Sequence, residues 1–107
     1  MKPKIPVKHK FKAKPTVANG RRYDSKREAE HAMLLASMEK QGTVVGFLEQ
    51  VPVRLQGGIK YVVDFLVFYS DGTAEFFEVK GYETPQWKMK MKMLKEAEPW
   101  IEIKVVK

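Results

Sequence analysis

Asp64, Glu78 and Lys80 are the residues whose types and spacing could do chemistry together. Asp64 interrupts the otherwise apolar run Val62-Val63-Asp64-Phe65-Leu66-Val67-Phe68, and Glu78 and Lys80 stand in Phe77-Glu78-Val79-Lys80. Between them lies Ser70-Asp71-Gly72, which suits a three-residue hairpin loop with the glycine in the left-handed position. That register pairs Tyr69 with Thr73 and Leu66 with Phe76, and so sets Asp64 opposite Glu78 with Lys80 on the same face. A two-residue Asp71-Gly72 turn would oppose Asp64 to Val79 and part the acids; the position of the glycine favours the first register. Two carboxylates with Cβ atoms roughly 4.5–5.5 Å apart, in apolar surroundings, repel each other. Either one takes a proton or a cation sits between them. A hard divalent ion is the economical answer, Mg²⁺ first and Mn²⁺ as a substitute. The plainer alternative makes Glu78 and Lys80 a surface pair worth under about 1 kcal/mol. An acid inside so apolar a strand weighs against it.

The elements that must position these residues can be read in outline. Ser25-Lys26-Arg27-Glu28 has capping-box spacing, apolar residues recur at helical intervals from Ala29 to Met38, and Gln41-Gly42 supplies a stop, which predicts a helix over 25–41. Thr43 to Glu49 and Val51 to Gln56 read as two short strands, with Pro52 marking an edge or a bend. Ile59 to Tyr69 and Thr73 to Lys80 form the hairpin. Pro85 opens a second helix ending near Ala97, and Ile101 to Val106 alternates as a last strand. The expectation is an α/β fold with an αβββαβ core, a mixed sheet flanked by helices. Met89, Met93, Leu94 and Ala97 are expected on the buried side of the second helix, with Lys88, Lys92 and Lys95 along the other. Trp87 is read as core or rim, and His9 and His31 as surface residues.

The chain has 107 residues, enough for one domain. Residues 1–23 carry eight basic side chains and no acid, whereas the rest is nearly neutral, within a net charge of +7. Residues 1–19, with lysines alternating with apolar residues and Pro3, Pro6 and Pro15 among them, read as a basic extended arm on a domain spanning 20–107. A basic arm on a neutral body is a common footprint of nucleic-acid binding, and equally that of a solubilising tail. The absence of cysteine excludes disulfides and thiolate metal sites. No apolar run reaches the roughly 18–20 residues of a membrane span, so the expectation is a soluble cytoplasmic protein without a membrane partner. No phosphate-cradling glycine motif or nucleophile–base motif is present, and no small-molecule cofactor is expected.

Val62-Val63-Asp64-Phe65 followed by Phe77-Glu78-Val79-Lys80-Gly81, on the αβββαβ order, resembles the PD-(D/E)XK nuclease superfamily. The Tyr23-Asp24-Ser25-Lys26 start, and Thr84 with Lys88, Lys90 and Lys92 in the second helix, are similar to small phage-encoded members. The likeness covers about residues 20–107. It implies a restriction-endonuclease-like core, metal binding by Asp64 and Glu78, and a Lys80 that positions or activates the attacking water. It also implies a carboxylate from the first helix, which the Ser-x-x-Glu spacing assigns to Glu28, although Glu28 could equally close the capping box; Glu30 is the reserve. Val63 stands where the superfamily has its proline. Gln86 is followed by Lys90 where one exonuclease branch has tyrosine, which disfavours that branch. Gln50 stands where similar sequences often carry glutamine. The implied activity is Mg²⁺-dependent endonucleolytic hydrolysis of DNA, on branched substrates such as four-way junctions, by a homodimer in the bacterial host of a phage or prophage. Lys8, Lys10, Lys12, Lys14, Arg21, Arg22, Lys88, Lys90 and Lys92 are the expected DNA contacts. The alternatives are a non-catalytic nucleic-acid-binding module and an assembly partner in a larger phage machine.

Overall fold

The computed structural model describes residues 16–18, 21–23 and 25–107. Helix α1 (Lys26–Gln41) starts where the Ser25 hydroxyl accepts a hydrogen bond from Glu28 N at 3.1 Å. It stops at Gly42, whose φ of 87° lets its N–H turn back to Glu39 O while Thr43 N reaches Met38 O. Helix α2 (Pro85–Ala97) starts in the same way, with Thr84 Oγ1 accepting from Trp87 N at 3.1 Å and proline in its first turn.

Between the helices run β3 (Val44–Arg54), β4 (Lys60–Tyr69) and β5 (Ala74–Val79), followed after α2 by β6 (Ile103–Val106). They form one four-stranded mixed sheet in the order β3-β4-β5-β6. The first two pairings are antiparallel, and β5 and β6, joined through α2, are parallel. The α/β class, the mixed sheet and both helices agree with the sequence expectation.

Two differences matter. The stretches expected as separate strands at 43–49 and 51–56 form a single strand, because Gln50 between them takes a left-handed backbone (φ 54°) without ending the pairing with β4. Pro52 lies in β3, an edge strand of the sheet, where its missing N–H costs no ladder bond. Thr16–Ala18, within the stretch read as arm, forms strand β1. It pairs antiparallel with β2 (Arg21–Tyr23), and both lie against α1.

Each face of the sheet has its own apolar cluster. Ala29, Ala32 and Leu35 of α1 pack with Tyr23, Val44, Phe65 and Val67 on one side. Trp87 and Leu94 of α2 pack with Leu55, Tyr61, Val63 and Ile101 on the other. Each fully buried large side chain contributes about 1.5–3 kcal/mol. Val63 and Phe65 flank Asp64, are both fully buried, and belong to different clusters. Strand β4 thus hands its buried side chains from the α2 side to the α1 side at Asp64. Among the described residues no helix is long and apolar enough to cross a membrane.

Two surface expectations are corrected. Met89, expected on the buried side of α2, is 55% exposed, whereas Met93, Leu94 and Ala97 pack inward as expected, joined by Trp87 and Met91, because Trp87 Nε1 donates to the Tyr61 hydroxyl at 3.0 Å and so fixes the helix rotation. His31 is not a surface residue. Its ring lies 5.0 Å from that of Phe65 and 5.3 Å from that of Phe77, and its Nε2 is buried without a hydrogen-bond partner. Burial pushes its pKa down. His9 lies outside the described residues.

Candidate functional site

The hairpin has the register that the loop residues predict. Gly72 is left-handed (φ 91°), its N–H donates to Tyr69 O at 3.1 Å, and Tyr69 N donates to Thr73 O at 2.8 Å. The Asp71 carboxylate accepts from Thr73 N and from its hydroxyl, which stiffens the turn. Pairing runs from Phe68 opposite Ala74 to Phe65 opposite Phe77, and one step further places Asp64 opposite Glu78. There the carboxylates replace the backbone acceptors. Asp64 N donates to Glu78 Oε1 at 3.3 Å, and Val79 N donates to Asp64 Oδ2 at 2.9 Å. Each acid reaches across to the other's strand, so the pair is held by main chain as well as by its own packing.

Both groups are kept from water. Glu78 is only 6% exposed and Asp64 is half-buried. Burial, and then the negative charge of Glu78, push the Asp64 carboxyl well above the usual carboxylate range, against the Val79 N–H, the Gln50 amide and the Lys80 charge, which pull it down. Burial likewise raises Glu78, against a hydrogen bond from Tyr61, the Asp64 N–H and Lys80. The residues around the pair therefore leave negative charge uncompensated when both acids are ionised. The Lys80 Nζ lies 5.8 Å from the centroid of the Trp87 ring.

The supports come from both sides of the sheet. From the α2 side, the Tyr61 hydroxyl accepts from the Trp87 indole and lies near enough to Glu78 to pull its carboxyl down. From the α1 side, Glu28 accepts from Gln50 Nε2 at 3.1 Å, and Gln50, across the ladder from Asp64, helps pull the Asp64 carboxyl down. Glu28 thus serves twice: its backbone N–H meets the Ser25 cap and its carboxylate faces the site. It reaches the acid pair through Gln50. Among the described residues, no group of three or more His, Cys, Asp or Glu side chains is arranged to hold a metal by itself.

Asp64 and Glu78 lie together with the Lys80 charge beside them, Glu28 is hydrogen-bonded to the neighbouring Gln50, and Glu30 is exposed on α1. Lys88 and Lys92 are exposed on α2 and Lys90 is half-buried. Arg21 and Arg22 fall in β2, and Lys8, Lys10, Lys12 and Lys14 lie outside the described residues. Tyr61 and Trp87 as supports of Glu78 were not foreseen. Arg27 was missed too: its guanidinium lies over Gly81, so close that a Cβ there would stand 2.8 Å from Nη1. Tyr61, two residues before the fully buried Val63 in the same apolar cluster, could have drawn notice.

The donors are hard oxygens with surplus negative charge beside an ammonium, a set that fits a divalent cation such as Mg²⁺. Fold and site together define an α/β domain with a paired-carboxylate centre at the seam of its two apolar clusters. The chain belongs to the family described as "Protein of unknown function (DUF1064)", whose model matches residues 8–106. No curated protein matches it.

Proposed function

We propose that this chain is a Mg²⁺-dependent DNA endonuclease with a PD-(D/E)XK core, acting on branched DNA as a homodimer. One observation carries the reading: two acids opposed across a hairpin, Glu78 buried and Asp64 half-buried, each hydrogen-bonded to the other's strand, with Lys80 beside them. Asp64 and Glu78 would hold the ion, with Mn²⁺ able to replace Mg²⁺. A divalent ion there would supply the positive charge that draws in a phosphate oxygen and acidifies water.

The chain's own residues do the rest. The Val79 N–H and the Gln50 amide aim Asp64, and the Tyr61 hydroxyl aims Glu78. The Lys80 ammonium offsets the charge that grows on the phosphate oxygens as the water oxygen bonds to phosphorus and the ester bond breaks. Lys88 and Lys92, exposed on α2, would meet backbone phosphates. One domain carries one acid pair, so cutting two strands calls for two copies and a C₂ dimer is the simple arrangement.

The test is a panel of four-way junction, flap, duplex and single-stranded DNA incubated with Mg²⁺. Cleavage of the branched forms, abolished by chelator and by Glu78→Gln while binding persists, is the expected result. Equal cutting of every substrate removes branch preference. Binding without cutting in Mg²⁺ or Mn²⁺ overturns the nuclease reading in favour of a binding module.

A further inference from the structure

Gln50 is the one non-glycine residue with a positive φ among the described residues. Such a backbone costs free energy in a residue with a Cβ, and it persists where the surroundings over-determine it. The place is specific. Glu49 pairs with Phe65 and Val51 with Val63, so the ladder is intact on both sides and Gln50 itself stands across from Asp64. The register is unchanged across it, and it falls where β3 and β4 pass their inward side chains from one apolar cluster to the other. It also goes with an amide whose Nε2 lies 3.1 Å from Glu28 Oε2 on α1, on a residue that stands across the ladder from Asp64 and pulls that carboxyl's pKa down.

We propose that Gln50 is the positioning residue of the acid centre, its left-handed backbone placing a neutral amide that ties Glu28 to Asp64. The inference rests on the reading that Asp64 and Glu78 hold a divalent ion, and it assigns Glu28 its route to that ion. The chemistry favours an amide over the other donors of similar reach. A primary amide has two N–H groups and no net charge, so it can serve two carboxylates at once. Lys or Arg in its place would neutralise the negative charge that attracts the cation. Partners that orient metal-binding carboxylates in this way commonly set metal affinity by about 10–100-fold.

The experiment separates the amide from the backbone. Gln50→Gly removes the amide but suits the left-handed backbone, and Gln50→Met keeps the side-chain length without the donors. Mn²⁺ affinity is read from the electron paramagnetic resonance signal of free Mn²⁺, and folding from the thermal midpoint in chelator. Gln50→Gly should melt at or above the wild-type temperature yet bind Mn²⁺ about 10–100-fold more weakly, and Gln50→Met should show the same loss. Glu28→Gln should weaken binding in the wild type and add almost nothing in the Gln50→Gly background. Wild-type affinity in both Gln50 variants, or full additivity with Glu28→Gln, overturns the role of Gln50 while leaving the metal site standing. A wild-type protein that binds no Mn²⁺ removes the metal site itself, and the proposal with it.

Discussion

Replacing Asp64 by asparagine should make the metal-free protein more stable and the metal-loaded protein less so. Asparagine keeps an oxygen for the Val79 N–H but removes one of two facing charges. Two unit charges about 5 Å apart, at the effective dielectric of about 20 found near protein surfaces, repel by about 3 kcal/mol. Lys80 and the N–H donors offset part of this, which leaves a gain of about 1–2 kcal/mol for Asp64→Asn near pH 8. For a domain of this size that is a rise of roughly 5–15 °C in the melting temperature. The ion reverses the order, since a ligand at a hundred times its dissociation constant adds about 2.7 kcal/mol to the form that binds it. The pH dependence carries its own sign. Both acids have raised native pKa values, so the native chain holds protons that the unfolded chain has released. Metal-free stability should therefore fall as pH rises from the ordinary carboxylate range near about 4 through the raised native values, and Asp64→Asn should flatten that fall. Urea unfolding of both proteins, in chelator and in Mn²⁺ across this range, reads all three effects. An Asp64→Asn protein that is less stable in chelator and gains as much from Mn²⁺ as the wild type refutes the reasoning.

Tyr61→Phe would strand the buried Trp87 indole N–H, at a cost of about 1–3 kcal/mol. Chemical denaturation measures it, and a loss below about 0.5 kcal/mol would show that the hydroxyl is dispensable. The lowered pKa of His31 means that the unfolded chain takes up a proton first as pH falls below about 6.5. Stability is then lost on the acid side, and His31→Phe should remove that part of the slope in unfolding curves. Exchanging Lys88 and Lys92 together for alanine should lower the slope of log affinity against log salt by about 1.8 in DNA-binding titrations. An unchanged slope would place the phosphate track elsewhere.

The parts legible in the sequence are those with short-range causes. Ser70-Asp71-Gly72 determines the hairpin register through one left-handed glycine, and with it the opposition of Asp64 and Glu78. Thr84-Pro85 and Ser25 mark the helix starts through caps that lie within three residues. What stayed hidden depends on contacts distant along the chain. Methionines at 89, 91 and 93 leave the rotation of α2 ambiguous until Tyr61, far away in sequence, bonds Trp87. His31 looks like a polar helix residue until Phe65 and Phe77 arrive on either side. Gln50 reads as a break between two strands because a polar residue interrupts a valine-rich stretch. In the fold the interruption is the point where β3 turns an amide toward Asp64. Glu28 shows both readings of one motif realised at once, its main chain capped by Ser25 and its carboxylate held by Gln50.

A crystal grown with Mn²⁺ and measured at the manganese absorption edge tests the central claim most directly. The account predicts an anomalous peak about 2.1 Å from carboxylate oxygens of both Asp64 and Glu78. No peak at saturating Mn²⁺, or a peak that only one of the two acids touches, would contradict it.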